Sequence, residues 1–234
     1  MIRGVVFDMD GLMLDTERIY NDGWHIACSR LGYDLPEEVL HSFVGLDERS
    51  SRLHLDEYSH GTMDYDALSD IFMSHMRDCV ERGEVDKKPG LDELLAYLRK
   101  SGRLLAVATS TESALAKKNL RNAGVEGYFD VMVFGEMVAH GKPAPDIYSL
   151  AASMLRLSPR ECLALEDSPA GILSAEAAGL LPVMIPDCIQ PDAELFTHLY
   201  AVKKDLSEVI GLLENGVHAP HTDTIIPPAA GPDN

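Results

Sequence analysis

Asp8 and Asp10 stand one residue apart at the end of an apolar run, in "VVFDMDGLMLDTE", residues 5–17. Like charges so close repel, and each carboxylate loses hydration if the strand end is covered. Either a cation sits against them or one carboxyl keeps its proton. Farther along, polar groups again follow apolar runs: Thr109–Ser110 after "RLLAVA", Lys142 in "HGKPAPD", and Glu166–Asp167–Ser168 after "CLAL". Each has an ordinary reading by itself. A DxD is a common turn, Thr109–Ser110 before a helix is an N-cap pattern, Lys142 reads as an exposed loop lysine, and Glu166–Asp167 as the start of a solvated loop. Together, at the exits of strands in one sheet, they describe phosphoryl transfer through an aspartate.

That chemistry has definite requirements. A carboxylate attacks phosphorus and forms an acyl phosphate. A divalent cation offsets the charge of attacker and phosphate, and acidic oxygen ligands suit Mg²⁺. A hydroxyl or backbone N–H holds the phosphoryl oxygens, and a fixed cation neutralises developing charge. A second acid protonates the leaving oxygen and then activates water. In an extended segment residues i and i+2 point the same way, so Asp10 can reach the ligand that Asp8 attacks.

The elements that must carry these residues follow from the hydropathy pattern. Ile2–Phe7 is a β-branched apolar run of strand length. Tyr20, Trp24, Ala27 and Leu31 then recur at helical spacing, and no convincing strand follows before about Arg82. From Pro89 strands alternate with helices: a helical stripe at Leu91, Leu94, Leu95 and Leu98, strand "RLLAVATS", a helix through Asn122, strand "FDVMVFG", helix "PDIYSLAASMLRL", strand "ECLALEDS", helix "AGILSAEAAG", strand "LPVMIP" and a last helix over 206–213. Near-continuous apolar strands between helices predict a parallel sheet covered on both faces. Ligands bind such sheets at the carboxyl ends of the strands. The first strand is separated from the rest by about 70 residues of helical character. The predicted architecture is therefore α/β: a Rossmann-like core of residues 1–15 and 89–215 with an inserted all-helical domain of residues 16–88. The hinges fall near residues 15–17 and 87–90, which makes Asp15 a hinge or helix-start residue. Residues 216–234, rich in Pro and polar residues and without periodicity, read as a disordered tail.

Composition narrows the partners. A formal net charge of -18 opposes binding to nucleic acid or to an anionic membrane, which need a basic face. Among 234 residues no stretch approaches the roughly 20 apolar residues that span a bilayer, and no signal peptide is visible. Cys28, Cys79, Cys162 and Cys188 lie far apart in sequence, without CxxC or zinc spacing. They read as reduced, buried thiols of a cytoplasmic protein. None of the nine histidines falls in the polar groups above, and His140 reads as a loop residue.

"FDMDG", "ATS", "GKPAPDIY" and "EDSPAG", in this order, resemble the four motifs of the haloacid dehalogenase superfamily. The helical insertion resembles the C1 cap of its β-phosphoglucomutase-like branch, and the resemblance spans roughly residues 1–213. It implies Asp8 as nucleophile, Asp10 as general acid/base with its backbone carbonyl on the metal, Thr109 as the phosphate-binding hydroxyl with Ser110 beside it, and Lys142 as the motif-three lysine. It implies that Mg²⁺ is held by Asp8, Asp10, Glu166 and Asp167, and that Gly45 and Arg49 lie in a substrate-specificity loop of the cap. Dehalogenases generally lack an acid two residues after the nucleophile, so Asp10 favours a phosphatase. β-Phosphoglucomutases carry a histidine at the position of Tyr20 and a lysine at that of Val44; this chain has neither. The expected protein is an Mg²⁺-dependent phosphatase of a small phosphorylated metabolite, similar at its start to sugar-phosphate and pseudouridine-5'-phosphate phosphatases, and a monomer or weak homodimer. Tyr20 and Trp24 are candidates to line its pocket, with core packing the alternative for Trp24. Two other readings stand beside it: a phosphosugar mutase, and a receiver-like phosphoacceptor module. Against the second, receivers place the acidic pair on the first strand and lack an insertion after it.

Overall fold

The computed structural model describes residues 1–43, 46 and 48–215. Six parallel strands form one sheet in the order β3-β2-β1-β4-β5-β6. They are β1 (Gly4–Phe7), β2 (Leu104–Thr109), β3 (Val131–Phe134), β4 (Cys162–Glu166), β5 (Leu181–Met184) and β6 (Ala201–Val202). The sheet is covered on both faces because its strands are apolar up to the polar residues Thr109 and Glu166 that end β2 and β4, and side chains alternate between faces. Val5, Phe7, Leu105, Val107, Leu163 and Leu165 pack on one side, against α5 (Leu91–Lys100), α6 (Ser113–Asn122) and α9 (Glu208–Glu214). Val6, Ala106, Ala108, Cys162 and Ala164 pack on the other, against α7 (Asp146–Met154) and α8 (Pro169–Ala177). The expected strand and helix sequence is present, with ends shifted by a few residues. Two-residue β6, paired parallel to β5, is an addition; it is too short to leave a periodic signal.

Register aligns the strand exits. Phe7 pairs with Val107 on one side and with Leu165 on the other. The next residues, Asp8, Ala108 and Glu166, therefore sit side by side where the backbone leaves the sheet, and Asp8 N–H still donates to Leu165 O at 3.0 Å. The central strand β1 thus delivers its carboxylate into the middle of that edge.

Between β1 and α5 lie α1 (Glu17–Leu31), α2 (Glu37–His41), α3 (Glu48–Ser59) and α4 (Tyr65–Arg82). These helices bury their own apolar cluster around Trp24, Phe43, Leu55, Leu68 and Phe72. Trp24 stacks on Phe72 with ring centroids 4.7 Å apart, and α4 is capped by Asp64, whose carboxylate accepts from Ala67 N–H at 3.1 Å. The chain leaves and re-enters the sheet side by side: Asp15 N–H donates to Asp86 O at 2.8 Å and Lys88 N–H to Met13 O at 2.9 Å. The cap of α1 is Thr16, not Asp15; Asp15 is exposed, with its carboxylate 3.7 Å from Lys88 Nζ. Three of the four cysteines are buried, but Cys188 is exposed, because it lies in the irregular segment after β5 rather than in an element facing the core. No helix among the described residues is long and apolar enough to cross a membrane. The expected tail, residues 216–234, lies outside the described residues.

Leu165, fully buried in β4, tests the core most directly. Leu165→Ala removes apolar contacts and leaves a cavity, so it should cost about 2–5 kcal/mol of stability, read as a lowered urea midpoint. An unchanged midpoint would contradict the packing described.

Candidate active site

One lysine holds the edge of the sheet together. Lys142 is carried by the loop before α7 and is only 1% exposed, so it is not a loop lysine at the surface. Its Nζ donates to Asp8 Oδ1 at 2.5 Å and to Glu166 Oε1 at 2.6 Å. Tyr148, on the first turns of α7, donates its hydroxyl to the same Glu166 oxygen at 2.7 Å. The other Glu166 oxygen accepts from Ser168 Oγ at 3.0 Å and from Ser168 N–H and Asp167 N–H at 3.2 Å each. Ser168 is the N-cap of α8, and its Oγ also accepts from Gly171 N–H at 3.1 Å. Gly171 is required there: a Cβ would overlap the Glu166 carboxylate. Gly11, at φ +77°, is required for a similar reason, since its Cβ would overlap the Asp167 carboxylate.

Asp8, Glu166 and Asp167 bring carboxylate oxygens within 4.8 Å of one another, all buried. Three carboxylates thus face one ammonium. Burial pushes the Asp8 carboxyl up to about 8, with Lys142 pulling it down and Glu166 and Asp10 pushing it further up. Burial first, then Glu166 and Asp8, push Asp167 well above the usual carboxylate range. Lys142 is held charged: burial works against it, but Asp8 and Glu166 raise it above the ordinary lysine value. The negative excess is of the kind a hard divalent cation relieves, and the donors are all oxygens. Both Glu166 oxygens are already occupied by donors, which leaves Asp8 and Asp167 as the carboxylates with free lone pairs.

Asp10 faces the other way. Its Oδ2 accepts from Thr111 Oγ1 at 2.6 Å and from Thr109 Oγ1 at 3.3 Å, and its carboxylate stays out of the three-carboxylate group. Burial raises its pKa, against the hydroxyls of Thr111, Thr16 and Thr109. The two aspartates that opened the charge problem are therefore separated in environment: one against an ammonium and two carboxylates, one against hydroxyls.

A cavity of about 890 Å³ lies between this edge and the inserted helices α1, α3 and α4, ample for a small organic ligand. Asp8, Asp10, Thr109, Ser110 and Asp167 line it from the sheet, and Tyr20, Trp24, Arg49 and Phe72 from the helices. Trp24 is 2% exposed, so it serves both as core and as pocket wall. Gly45 and Val44 lie outside the described residues. His140 is an exposed loop residue 3.0 Å from Asp146. Three contributors were not singled out from the sequence. Thr111 could have been found as the third hydroxyl of "TST"; Thr16 and Tyr148 leave no such signal, because only the fold brings them to Asp10 and Glu166.

The family model of haloacid dehalogenase-like hydrolases matches residues 5–185. The chain is 31% identical over 221 residues to the phosphorylated carbohydrates phosphatase of Thermotoga maritima, covering 93% of each. It is 34% identical over 177 residues to hexitol phosphatase A of Escherichia coli, covering 76% of this chain and 80% of the relative. Among solved structures, CbbY from Rhodobacter sphaeroides in complex with phosphate superposes with a TM-score of 0.73 at 26% identity, covering 89% of this chain and 96% of that one.

The charge excess sets a pH dependence. Asp8 titrates near 8 folded and at its ordinary low value unfolded, so the folded state holds the proton more tightly. Its contribution is complete below the unfolded value and is lost as pH rises toward 8. Lys142 stays charged throughout that window and adds no slope. In chelator, thermal midpoints should therefore fall between about pH 4 and 8, and Mg²⁺ should restore them at the upper end. A flat profile would contradict the crowding of carboxylates.

Proposed function

The chain belongs to the haloacid dehalogenase-like hydrolase family, and from that premise we propose that it is an Mg²⁺-dependent phosphatase of a small sugar or polyol phosphate, working through an aspartyl phosphate on Asp8. The observation that carries this reading is the Lys142 ammonium bridging Asp8 and Glu166 at 2.5 and 2.6 Å. It ties up Oδ1 of Asp8 and leaves Oδ2 for attack. The names of relatives that act on phosphorylated carbohydrates and a hexitol phosphate support the substrate class.

Asp8 Oδ2 attacks phosphorus in line and the P–O bond to the leaving alkoxide breaks. Asp10, whose raised pKa keeps a proton available, gives it to that oxygen. Asp10 then takes a proton from water, which attacks the phosphorus of the aspartyl phosphate, and inorganic phosphate leaves with Asp8 restored. Thr109 holds a phosphoryl oxygen, with Ser110 beside it. Lys142 balances charge on Asp8 and on the phosphate. Asp8, Asp167 and the Asp10 backbone carbonyl, with Glu166 in support, would hold Mg²⁺, which would supply charge compensation for attacker and phosphate. Residues 16–88 act as a cap that closes over the bound phosphomonoester and excludes bulk water. In that cap, Arg49 and the aromatic residues Tyr20 and Trp24 select the leaving group. The reaction takes place in the cytoplasm, where the thiols of Cys28, Cys79 and Cys162 stay reduced.

Asp8→Asn should abolish turnover of p-nitrophenyl phosphate and of the best substrate in a panel of sugar, polyol and nucleoside phosphates. Asp10→Asn should lower kcat by roughly 10²–10⁴, the usual contribution of general acid–base catalysis. Near wild-type activity in Asp8→Asn would remove the nucleophile assignment. Net isomerisation of β-glucose 1-phosphate with a bisphosphate primer, in place of phosphate release, would favour the mutase reading.

A further inference from the structure

Thr111 touches both residues that the proposed acid chemistry uses. Its Oγ1 donates to Asp10 Oδ2 at 2.6 Å, and its backbone N–H donates to Thr109 Oγ1 at 3.0 Å. Thr109 Oγ1 in turn donates to the same Asp10 oxygen at 3.3 Å. The three residues close a ring of hydrogen bonds at the exit of β2. At 2.6 Å the Thr111 bond is the shorter of the two to Oδ2. Thr16 supplies a third hydroxyl to the same carboxyl.

A carboxyl group on an aspartate turns about two torsions. The short Thr111 bond holds the group by one oxygen even when the Thr109 hydroxyl turns to a phosphoryl oxygen, and the second oxygen then points away from Thr111. Asp10 and Thr111 both line the cavity above Asp8. We infer that Thr111 is a positioning residue for the reaction: it grips Asp10 by Oδ2 so that Oδ1 meets the leaving-group oxygen, and it sets Thr109 Oγ1 through the backbone. This rests on the phosphatase reading above and assigns within it a residue outside the four motifs. Thr109 alone, at 3.3 Å, is a poor substitute, because hydroxyl–oxygen bonds weaken past about 3.0 Å.

The test compares Thr111→Val with Thr111→Ser in the full chain, on an alkyl phosphate and on p-nitrophenyl phosphate. An alkoxide needs its proton on departure; p-nitrophenolate does not. Misplacing a catalytic group by about 1 Å can cost 10²-fold. For Thr111→Val on the alkyl phosphate, kcat should fall roughly 10- to 100-fold with KM within about 3-fold. The loss on p-nitrophenyl phosphate should be several-fold smaller. Thr111→Ser should recover kcat to within about 3-fold, since it keeps the hydroxyl. Equal losses on both substrates, a raised KM with kcat kept, no loss at all, or no recovery by serine would each overturn the inference. Melting midpoints are measured in parallel; should the valine variant unfold, Thr111→Ala takes its place against Thr111→Ser below both midpoints. Asp8→Asn in the same assay separates the two levels. An active Asp8→Asn, or a wild-type chain inactive on every phosphomonoester, would refute the phosphatase reading and this inference with it. An inactive Asp8→Asn beside an unaffected Thr111→Val would refute the role of Thr111 alone.

Discussion

The ammonium of Lys142, buried between Asp8 and Glu166, is the interaction on which the rest of this structure depends. A charge taken out of water costs several kcal/mol unless it is paired and hydrogen-bonded. Lys142 is paired twice, and Glu166 is supported by the hydroxyls of Tyr148 and Ser168 and by the backbone N–H groups of Asp167 and Ser168. Those contacts come from β1, the loop before α7, α7 itself and the β4–α8 junction. Removing any one leaves a buried charge short of a partner. The network therefore demands that four separate elements meet at one edge, and the parallel sheet is what meets that demand.

The network is not self-sufficient in charge. One ammonium serves three carboxylates, and the difference falls on Asp8 and Asp167, both of which burial pushes toward the protonated form. A protonated Asp8 is a poor nucleophile. The proposed function needs a divalent cation for this reason, and the donor set fits one. Asp10 is spared the conflict because hydroxyls rather than carboxylates surround its carboxyl. Burial raises both aspartates, but their neighbours differ, so a cation held against Asp8 would let it ionise while Asp10 kept its proton, the condition for one to attack and the other to give a proton.

Much of this was legible from residue types. β1, β2 and β4 announce themselves as short apolar runs that stop at polar residues, and a parallel sheet must bring those stops together. Asp8, Thr109, Lys142, Glu166 and Asp167 could be named on that ground before any contact was known. Tyr148 could not, because a tyrosine in an apolar helical stripe reads as core, and only the seating of α7 turns its hydroxyl to Glu166. Thr16 is hidden for a different reason: it belongs to the start of α1 and approaches Asp10 only because the chain turns back after Gly11. β6 and the exposure of Cys188 belong to an irregular segment with no period to read. The division of labour within the acidic pair was also invisible, since sequence does not reveal that both Glu166 oxygens are filled.

The central claim is that charge balance at Asp8 is completed by a divalent cation. Calorimetric titration of Mg²⁺ at pH 7, repeated in buffers of different ionisation enthalpy, tests it most directly. With Asp8 titrating near 8 in the absence of metal, binding must displace its proton. The account predicts a single site whose binding releases protons, with both the release and the binding reduced in Asp8→Asn. Binding without proton release, or equal binding by Asp8→Asn, would contradict it.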